Sequence, residues 1–66
     1  MPEGYVDKYS QDKGFGYIIE DSGKEVLVKR SSLDIPGYKT LTPGERVRFE
    51  MEETVRGPEA KKVSKV

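Results

Sequence analysis

The segment KGFGYI, residues 13–18, holds two aromatic side chains whose spacing suits one kind of binding chemistry. In an extended strand Phe15 and Tyr17 lie two residues apart, so both rings point to the same face. Gly14 and Gly16 flank Phe15, although glycine packs nothing and is costly to order in a strand. Such a surface can stack on a flat ligand and let it approach the backbone. Packing beneath a loop or against a partner protein is an equally open interpretation.

The next apolar segment, residues 25–30, adds basic side chains to this predicted surface. If Val26 and Val28 fill the interior, Leu27 and Lys29 point outward beside the two rings. Nucleobases stack on exposed rings while cations contact phosphates, and each stacked base contributes about 1–3 kcal/mol to binding. An ordinary solvated rim is the competing interpretation of the cations. The basic residues that border the rings are Lys13, Lys29 and Arg30.

Short apolar–polar alternation, broken by Gly, Pro, Asp and Ser, predicts an all-β chain. A long loop at residues 31–45 has room for one helical turn near Ser31 or Ser32. Because a flat sheet of five short strands leaves open edges, we predict a small five-stranded antiparallel Greek-key barrel of the OB type. An SH3-like barrel is the competing architecture. The predicted strands are residues 4–10, 14–20, 25–30, 45–52 and 60–66.

Ten apolar residues form the predicted core of this barrel. The predicted core residues are Val6, Ile18, Val26, Val28, Leu33, Leu41, Val47, Phe49, Met51 and Val63.

Three lysines of the last strand are interpreted as protection of an exposed strand edge and not as a second binding site. They are Lys61, Lys62 and Lys65.

Composition narrows the functional classes. The 66 residues predict one small domain, and 12 basic against 12 acidic side chains give a formal charge of zero, which argues against binding polyanions by bulk attraction alone. With no cysteine and no histidine, the chain lacks the usual metal ligands and the usual general base. We therefore expect no cofactor, no metal, no small-molecule substrate and no enzymatic activity. Without an apolar leader or spanning segment, a cytoplasmic monomer away from membranes is expected.

Several motifs resemble the bacterial cold-shock proteins over almost the whole chain. KGFGYI looks like the first nucleic-acid-binding signature of that family, and EVLVKR stands where its second signature lies. GYKTL at residues 37–41 and RGPEA at residues 56–60 follow in the family's order and spacing. The resemblance implies an OB-type barrel that binds single-stranded RNA or DNA and acts as an RNA chaperone without ATP or metal.

This chain departs from the family's pattern on the binding face. Lys8 stands where the family usually has Trp, beside Asp7 in place of a typical Lys, and Tyr9 replaces a Phe. In the second signature the usual reading is close to VFVHF, whereas this chain has VLVKR. Rings and a His are thus replaced by Leu27, Lys29 and Arg30, while the resemblance retains rings at Phe15, Tyr17 and Tyr38.

Two functional hypotheses follow from these departures. The first is single-stranded nucleic-acid binding that has shifted from stacking toward phosphate contact, and is therefore weaker at physiological salt and more salt-dependent. The second is a cold-shock-like barrel that has lost nucleic-acid binding and contacts a protein. The retained rings favour the first. Its candidate binding residues are Lys8, Tyr9, Lys13, Phe15, Tyr17, Leu27, Lys29, Arg30 and Tyr38.

Overall fold

Five strands close into one barrel in the computed structural model, which describes residues 2–37 and 39–66. Neighbouring strands follow the order β1-β2-β3-β5-β4 around the barrel, and β1 pairs with β4 to close it. The predicted fold class is confirmed, and the helical turn expected near Ser31 is a single 3₁₀ turn, Arg30–Ser32. The strands are β1 Glu3–Ser10, β2 Phe15–Glu20, β3 Glu25–Lys29, β4 Arg46–Thr54 and β5 Gly57–Lys65.

One seam of the barrel differs from the predicted antiparallel arrangement. Strands β3 and β5 run parallel, with Leu27 opposite Glu59 and Val28 opposite Ala60, whereas the other four pairings are antiparallel. The long connection after β3 crosses the barrel before the β4–β5 hairpin begins. Strand β5 therefore returns alongside β3 in the same direction, and its residues reach the surface that carries the rings.

Strand β5 begins three residues earlier than predicted. Gly57 and Pro58 lie outside the predicted strand 60–66, but they pair with Thr54 and Glu53 of β4, and only Val55 and Arg56 form the turn. Pro58 precedes the β3–β5 ladder, so its missing N–H removes no hydrogen bond there.

The prediction that the last strand forms an exposed edge of the sheet is wrong, because β5 pairs with β3 on one side and with β4 on the other. Its lysines instead form ion pairs: Lys61 with Glu52 and Glu59, Lys62 with Glu50, and Lys65 with Glu45.

The barrel interior contains nine of the ten predicted core residues. Met51 is the exception, since it is half-buried and packs at the edge of the core. Ile35 and Ala60 are buried although neither was predicted, because the loop carries Ile35 inward and Ala60 of β5 lies between Val28 of β3 and Met51 of β4. The long loop closes one end of the barrel, where Asp34 N–H donates to the carbonyl of Val63 at 2.7 Å.

A β-bulge in β1 decides which residues of that strand face outward. Val6 pairs with Ile18 and Lys8 with Tyr17, so Asp7 is an extra residue in β1. Simple alternation from the buried Val6 would turn Lys8 inward. The bulge instead leaves both Asp7 and Lys8 exposed and turns Tyr9 toward the core.

Ion pairs cover the outer face of β1 and β4. Arg46 contacts Asp21 through both guanidinium Nη atoms, at 2.8 and 3.2 Å, and Glu3 at 3.3 Å. Arg48 donates to the other oxygen of Glu3 at 3.0 Å. The hydrogen bond from Arg46 lowers the pKa of the Asp21 carboxyl below its ordinary value of 3.8. No helix in the described part of the chain is long and apolar enough to cross a membrane.

Acid should remove the contribution of this network to stability. Because the pKa of Asp21 is lower in the folded state, the stabilisation is complete above its ordinary value of 3.8 and is lost as the pH falls through the folded value. We expect wild type to have a higher urea midpoint than Asp21→Asn near neutral pH, and the difference to shrink on acidification. A difference that stays constant across this range would contradict the assignment.

Candidate functional site

An open groove of about 790 Å³ runs along the outer face of β2 and β3. Phe15 and Tyr17 line it together, as the sequence predicted, with ring centroids 6.4 Å apart and planes at 87°. Leu27 lies opposite Tyr17 and Lys29 opposite Phe15 in the strand register. Both rings are half-buried, so each keeps an accessible surface. The side chains that line this groove belong to Lys13, Phe15, Tyr17, Glu25, Leu27, Lys29, Arg30, Ser31, Arg56 and Pro58.

A second, smaller groove of about 310 Å³ adjoins the first on the β1 side. Lys13, Phe15 and Tyr17 line both grooves, so the rings form the boundary between them. Lys8 and Tyr9 from β1 complete its wall, because the bulge places Lys8 on this face. The two grooves together offer a continuous path across the barrel for an extended ligand.

The two glycines beside Phe15 have different structural causes. Gly14 has a φ of +76° in the β1–β2 turn, and a Cβ there would meet nothing within 4 Å. Gly16 lies against the bulged strand, where a Cβ would be 2.2 Å from the carbonyl oxygen of Lys8 and 2.6 Å from the Cα of Tyr9. Gly16 is therefore required by the close approach of β1 and not, as the sequence suggested, by a base approaching the backbone.

Lys8, which the family resemblance placed on the binding face, lies against the ring of Tyr17. Its Nζ is 5.4 Å from the centroid of Tyr17, a cation–π contact. The long side chain of Lys8 thus covers part of one face of the Tyr17 ring with a positive charge. A ligand that stacks on that face must displace the ammonium group, which can then contact a phosphate.

The other predicted cations differ in how strongly the protein already engages them. The guanidinium of Arg30 donates to the backbone carbonyl of Gln11, and the backbone N–H of Arg30 donates to the backbone carbonyl of Gly14 at 2.9 Å. Lys29 has its Nζ 3.9 Å from Oε2 of the buried Glu59. Lys13 is exposed and makes no ion pair within residues 2–37 and 39–66. Lys13 is therefore the most available phosphate donor among these three cations.

Tyr9 is half-buried, lines the smaller groove and packs against the core. Its hydroxyl oxygen is buried and has no hydrogen-bond partner in the described part of the chain. A buried polar group without a partner costs stability, since it gives up its bonds to water. The ring of Tyr9 thus packs against the core, while no protein group of the described residues bonds to its hydroxyl.

Replacing Tyr9 by phenylalanine should consequently stabilise the protein. Removing an unsatisfied hydroxyl while keeping the ring is expected to raise the free energy of unfolding by about 1 kcal/mol. Urea denaturation followed by far-ultraviolet circular dichroism measures the change. A loss of stability would mean that the hydroxyl has a favourable contact in solution.

Arg56 lines the large groove although the sequence analysis did not select it, and Glu25, Ser31 and Pro58 do so as well. Arg56 belongs to the β4–β5 turn, which reaches the ring surface only because β5 pairs with β3. Its position follows from this non-local pairing, so no local pattern could reveal it. Tyr38, the remaining predicted ring, lies outside the described residues.

Ion pairing separates the cations of this neutral protein into two groups. On the far side of the barrel and along β5, five of them pair with carboxylates: Arg46, Arg48, Lys61, Lys62 and Lys65. Around the grooves, Lys29 pairs with Glu59, whereas Lys8, Lys13, Arg30 and Arg56 have no ion pair in the part of the chain that the structure describes, nor do Lys24 and Lys39 outside the grooves. The grooves thus carry local positive charge despite a net charge of zero.

Carboxylates near the grooves do not assemble a metal site. No group of three or more carboxylates within residues 2–37 and 39–66 could hold a metal ion. Glu59 instead accepts a hydrogen bond from Lys61 at 2.9 Å, which lowers the pKa of its carboxyl below the ordinary value of 4.5, while burial opposes the shift. The carboxylate of Glu59 is therefore ionised at neutral pH.

Comparison with known proteins agrees with this architecture. The family model described as the 'Cold-shock' DNA-binding domain matches residues 2–66. Cold shock-like protein CspLB of Listeria monocytogenes is 42% identical over 66 residues, covering 100% of both chains. The major cold shock protein of Streptococcus pyogenes serotype M6 is 38% identical over 66 residues, covering 100% of this chain and 98% of its own. Cold shock protein 1 of Lactiplantibacillus plantarum is 40% identical over 63 residues, or 96% of each chain. The chain therefore belongs to the cold-shock domain family, a family of nucleic-acid-binding domains.

Proposed function

We propose that this protein binds single-stranded RNA or DNA along its two adjoining grooves. Phe15 and Tyr17 stack on bases, and the cations beside them contact phosphates. The observation that carries the proposal is that four of the five cations around the half-buried rings, all but Lys29, have no ion pair in the described part of the chain, whereas those on β4 and β5 are engaged by carboxylates. The proposed binding residues are Lys8, Tyr9, Lys13, Phe15, Tyr17, Leu27, Lys29, Arg30 and Tyr38.

Contact with phosphates contributes a larger share of this binding than stacking does. Leu27 offers no ring opposite Tyr17, and Lys8 occupies part of the surface of Tyr17. Fewer stacked bases mean weaker binding at physiological salt and less discrimination between bases, because stacking and base-edge contacts are lost while phosphate contacts remain.

Binding of this kind gives the protein RNA-chaperone activity as a monomer. A protein that holds single strands shifts the equilibrium of a weak hairpin toward its open form, and it needs neither ATP nor a metal for this. A hairpin RNA labelled at both ends should open when the protein is added, and Phe15→Ala should abolish the opening. A hairpin that stays closed at saturating protein would overturn the chaperone assignment alone.

The salt dependence of affinity tests the ionic character of binding. Fluorescence anisotropy of labelled oligo-dT and oligo-U should give a slope of log affinity against log salt of about −2, for roughly three phosphate contacts at about −0.7 each. A slope near zero would contradict the proposed phosphate contacts. No binding even at low salt would favour the alternative, in which the barrel has lost nucleic-acid binding and the ring surface contacts a protein.

A further inference from the structure

Glu59 places a buried negative charge directly behind the cations of the large groove. Its side chain is only 7% exposed, and it lies opposite Leu27 in the parallel β3–β5 register. One carboxylate oxygen, Oε1, accepts a hydrogen bond from Lys61 at 2.9 Å. The other, Oε2, lies 3.9 Å from Nζ of Lys29. The two oxygens are thus directed to two different lysines.

Lys29 consequently has two competing anionic partners when a nucleic acid binds. It lies opposite Phe15 in the register and lines the groove, with its side chain 47% exposed, so a phosphate can approach it. A buried carboxylate needs nearby cations, because removing one leaves its charge poorly compensated. A phosphate that draws Lys29 away must therefore weaken the compensation of Glu59, and it also meets the negative charge of Glu59 itself.

We infer that Glu59 restrains nucleic-acid binding by competing with the ligand's phosphate for Lys29. This inference rests on the proposed function and adds a residue that sets its strength. Arg56 lines the same groove, and its charge contributes, after those of Lys61 and Lys29, to the lowered pKa of the Glu59 carboxyl. Glu59 thus limits the large groove to weak, reversible contact on its β3–β5 side.

Glu59→Gln should strengthen oligonucleotide binding. The amide keeps an oxygen for Lys61 but removes the charge that holds Lys29. Affinity for labelled oligo-dT at low salt should rise about two- to tenfold, and the salt slope should steepen by about 0.7, the value of one added phosphate contact on a single strand.

Glu52→Gln is the matched control. Glu52 pairs with the same Lys61 at 3.7 Å and lies opposite Glu59 on β4, but its side chain is 59% exposed and it makes no contact with Lys29. This control removes one negative charge from the same cluster, so it measures the effect of net charge alone. It should change affinity less than twofold and leave the slope unchanged.

Substituting Lys29 in the wild-type protein gives a second test that does not depend on the folding of the Glu59 variant. Because Glu59 already holds Lys29, Lys29→Gln should reduce wild-type affinity much less than Lys13→Gln does. In the Glu59→Gln background the same Lys29→Gln change should cancel the gain, and this double-mutant cycle isolates the coupling of the two residues. Equal losses from Lys29→Gln and Lys13→Gln in the wild-type protein would overturn the inference.

The remaining outcomes separate this inference from the proposed function. If wild type binds through Phe15 and Glu59→Gln leaves affinity unchanged, the inference is overturned and the function stands. A lower affinity of Glu59→Gln would also overturn it, since Glu59 would then position Lys29 for the phosphate. If neither wild type nor Glu59→Gln binds at low salt, both fail. Binding by Glu59→Gln alone would support the restraint.

Discussion

Replacing Phe15 by alanine is expected to lower the affinity for oligo-dT and oligo-U by about 5- to 150-fold, the equivalent of the roughly 1–3 kcal/mol that one stacked base contributes. Phe15 lines both grooves, and its edge-to-face contact with Tyr17 orients the second ring. Its removal should therefore affect ligands along the whole path. Fluorescence anisotropy at low salt measures the loss.

Tyr5→Ala supplies the control for this experiment. Tyr5 is 45% exposed on β1, where it pairs with Ile19 and Arg46, and it does not line either groove. Its truncation removes a comparable ring from the surface and should leave affinity unchanged. Equal losses from Tyr5→Ala and Phe15→Ala, with both variants folded, would show that the ring surface of β2 has no special part in binding.

Replacing Gly16 by alanine is expected to destabilise the barrel by about 3 kcal/mol, at the upper end of the usual cost of overpacking. The added Cβ would be 2.2 Å from the carbonyl oxygen of Lys8, and this atom belongs to the backbone of the bulge and not to a flexible side chain. To relieve the contact, β1 and β2 must separate between Tyr9 and the ring-bearing segment. Urea denaturation measures the loss in the free energy of unfolding.

Gly14→Ala is the comparison for Gly16→Ala because both glycines flank Phe15. A Cβ at Gly14 meets nothing within 4 Å, so only its φ of +76° opposes the substitution, at a cost of about 1–2 kcal/mol. The Gly16 variant should accordingly be the less stable of the two. If Gly16→Ala proved as stable as wild type, the close approach of the strands at the bulge would be incorrect.

Local patterns were sufficient for the parts of the fold that depend on alternation. Because successive side chains of a strand point to opposite faces, the sequence alone was enough to place Phe15 and Tyr17 on the outer face and the buried valines of β3 on the inner face. Lys8 is different. Alternation from Val6 would have turned it inward, and only the resemblance to cold-shock proteins placed it on the binding face. The bulge at Asp7 supplies the physical reason.

Features that depend on contacts distant in sequence could not be predicted in this way. The parallel pairing of β3 with β5 brings Arg56 and Glu59 to the rings, although about 30 residues separate them from β3 along the chain. Glu59 appeared as one of 12 acidic side chains, and nothing in its neighbourhood in the sequence indicates burial beside Lys29. The distribution of charge on this neutral protein follows from topology and not from composition.

An amide NMR titration with short oligo-dT and oligo-U, at low and at physiological salt, tests the central claim most directly. Binding along the grooves predicts amide chemical-shift changes that cluster at residues 13–17 and 27–30. These changes should become smaller at higher salt and in the Phe15→Ala variant. Shifts confined to the outer face of β1 and β4, where Arg46 and Arg48 are already engaged by carboxylates, would contradict the location of the site. The absence of any shift at low salt would contradict nucleic-acid binding by this protein.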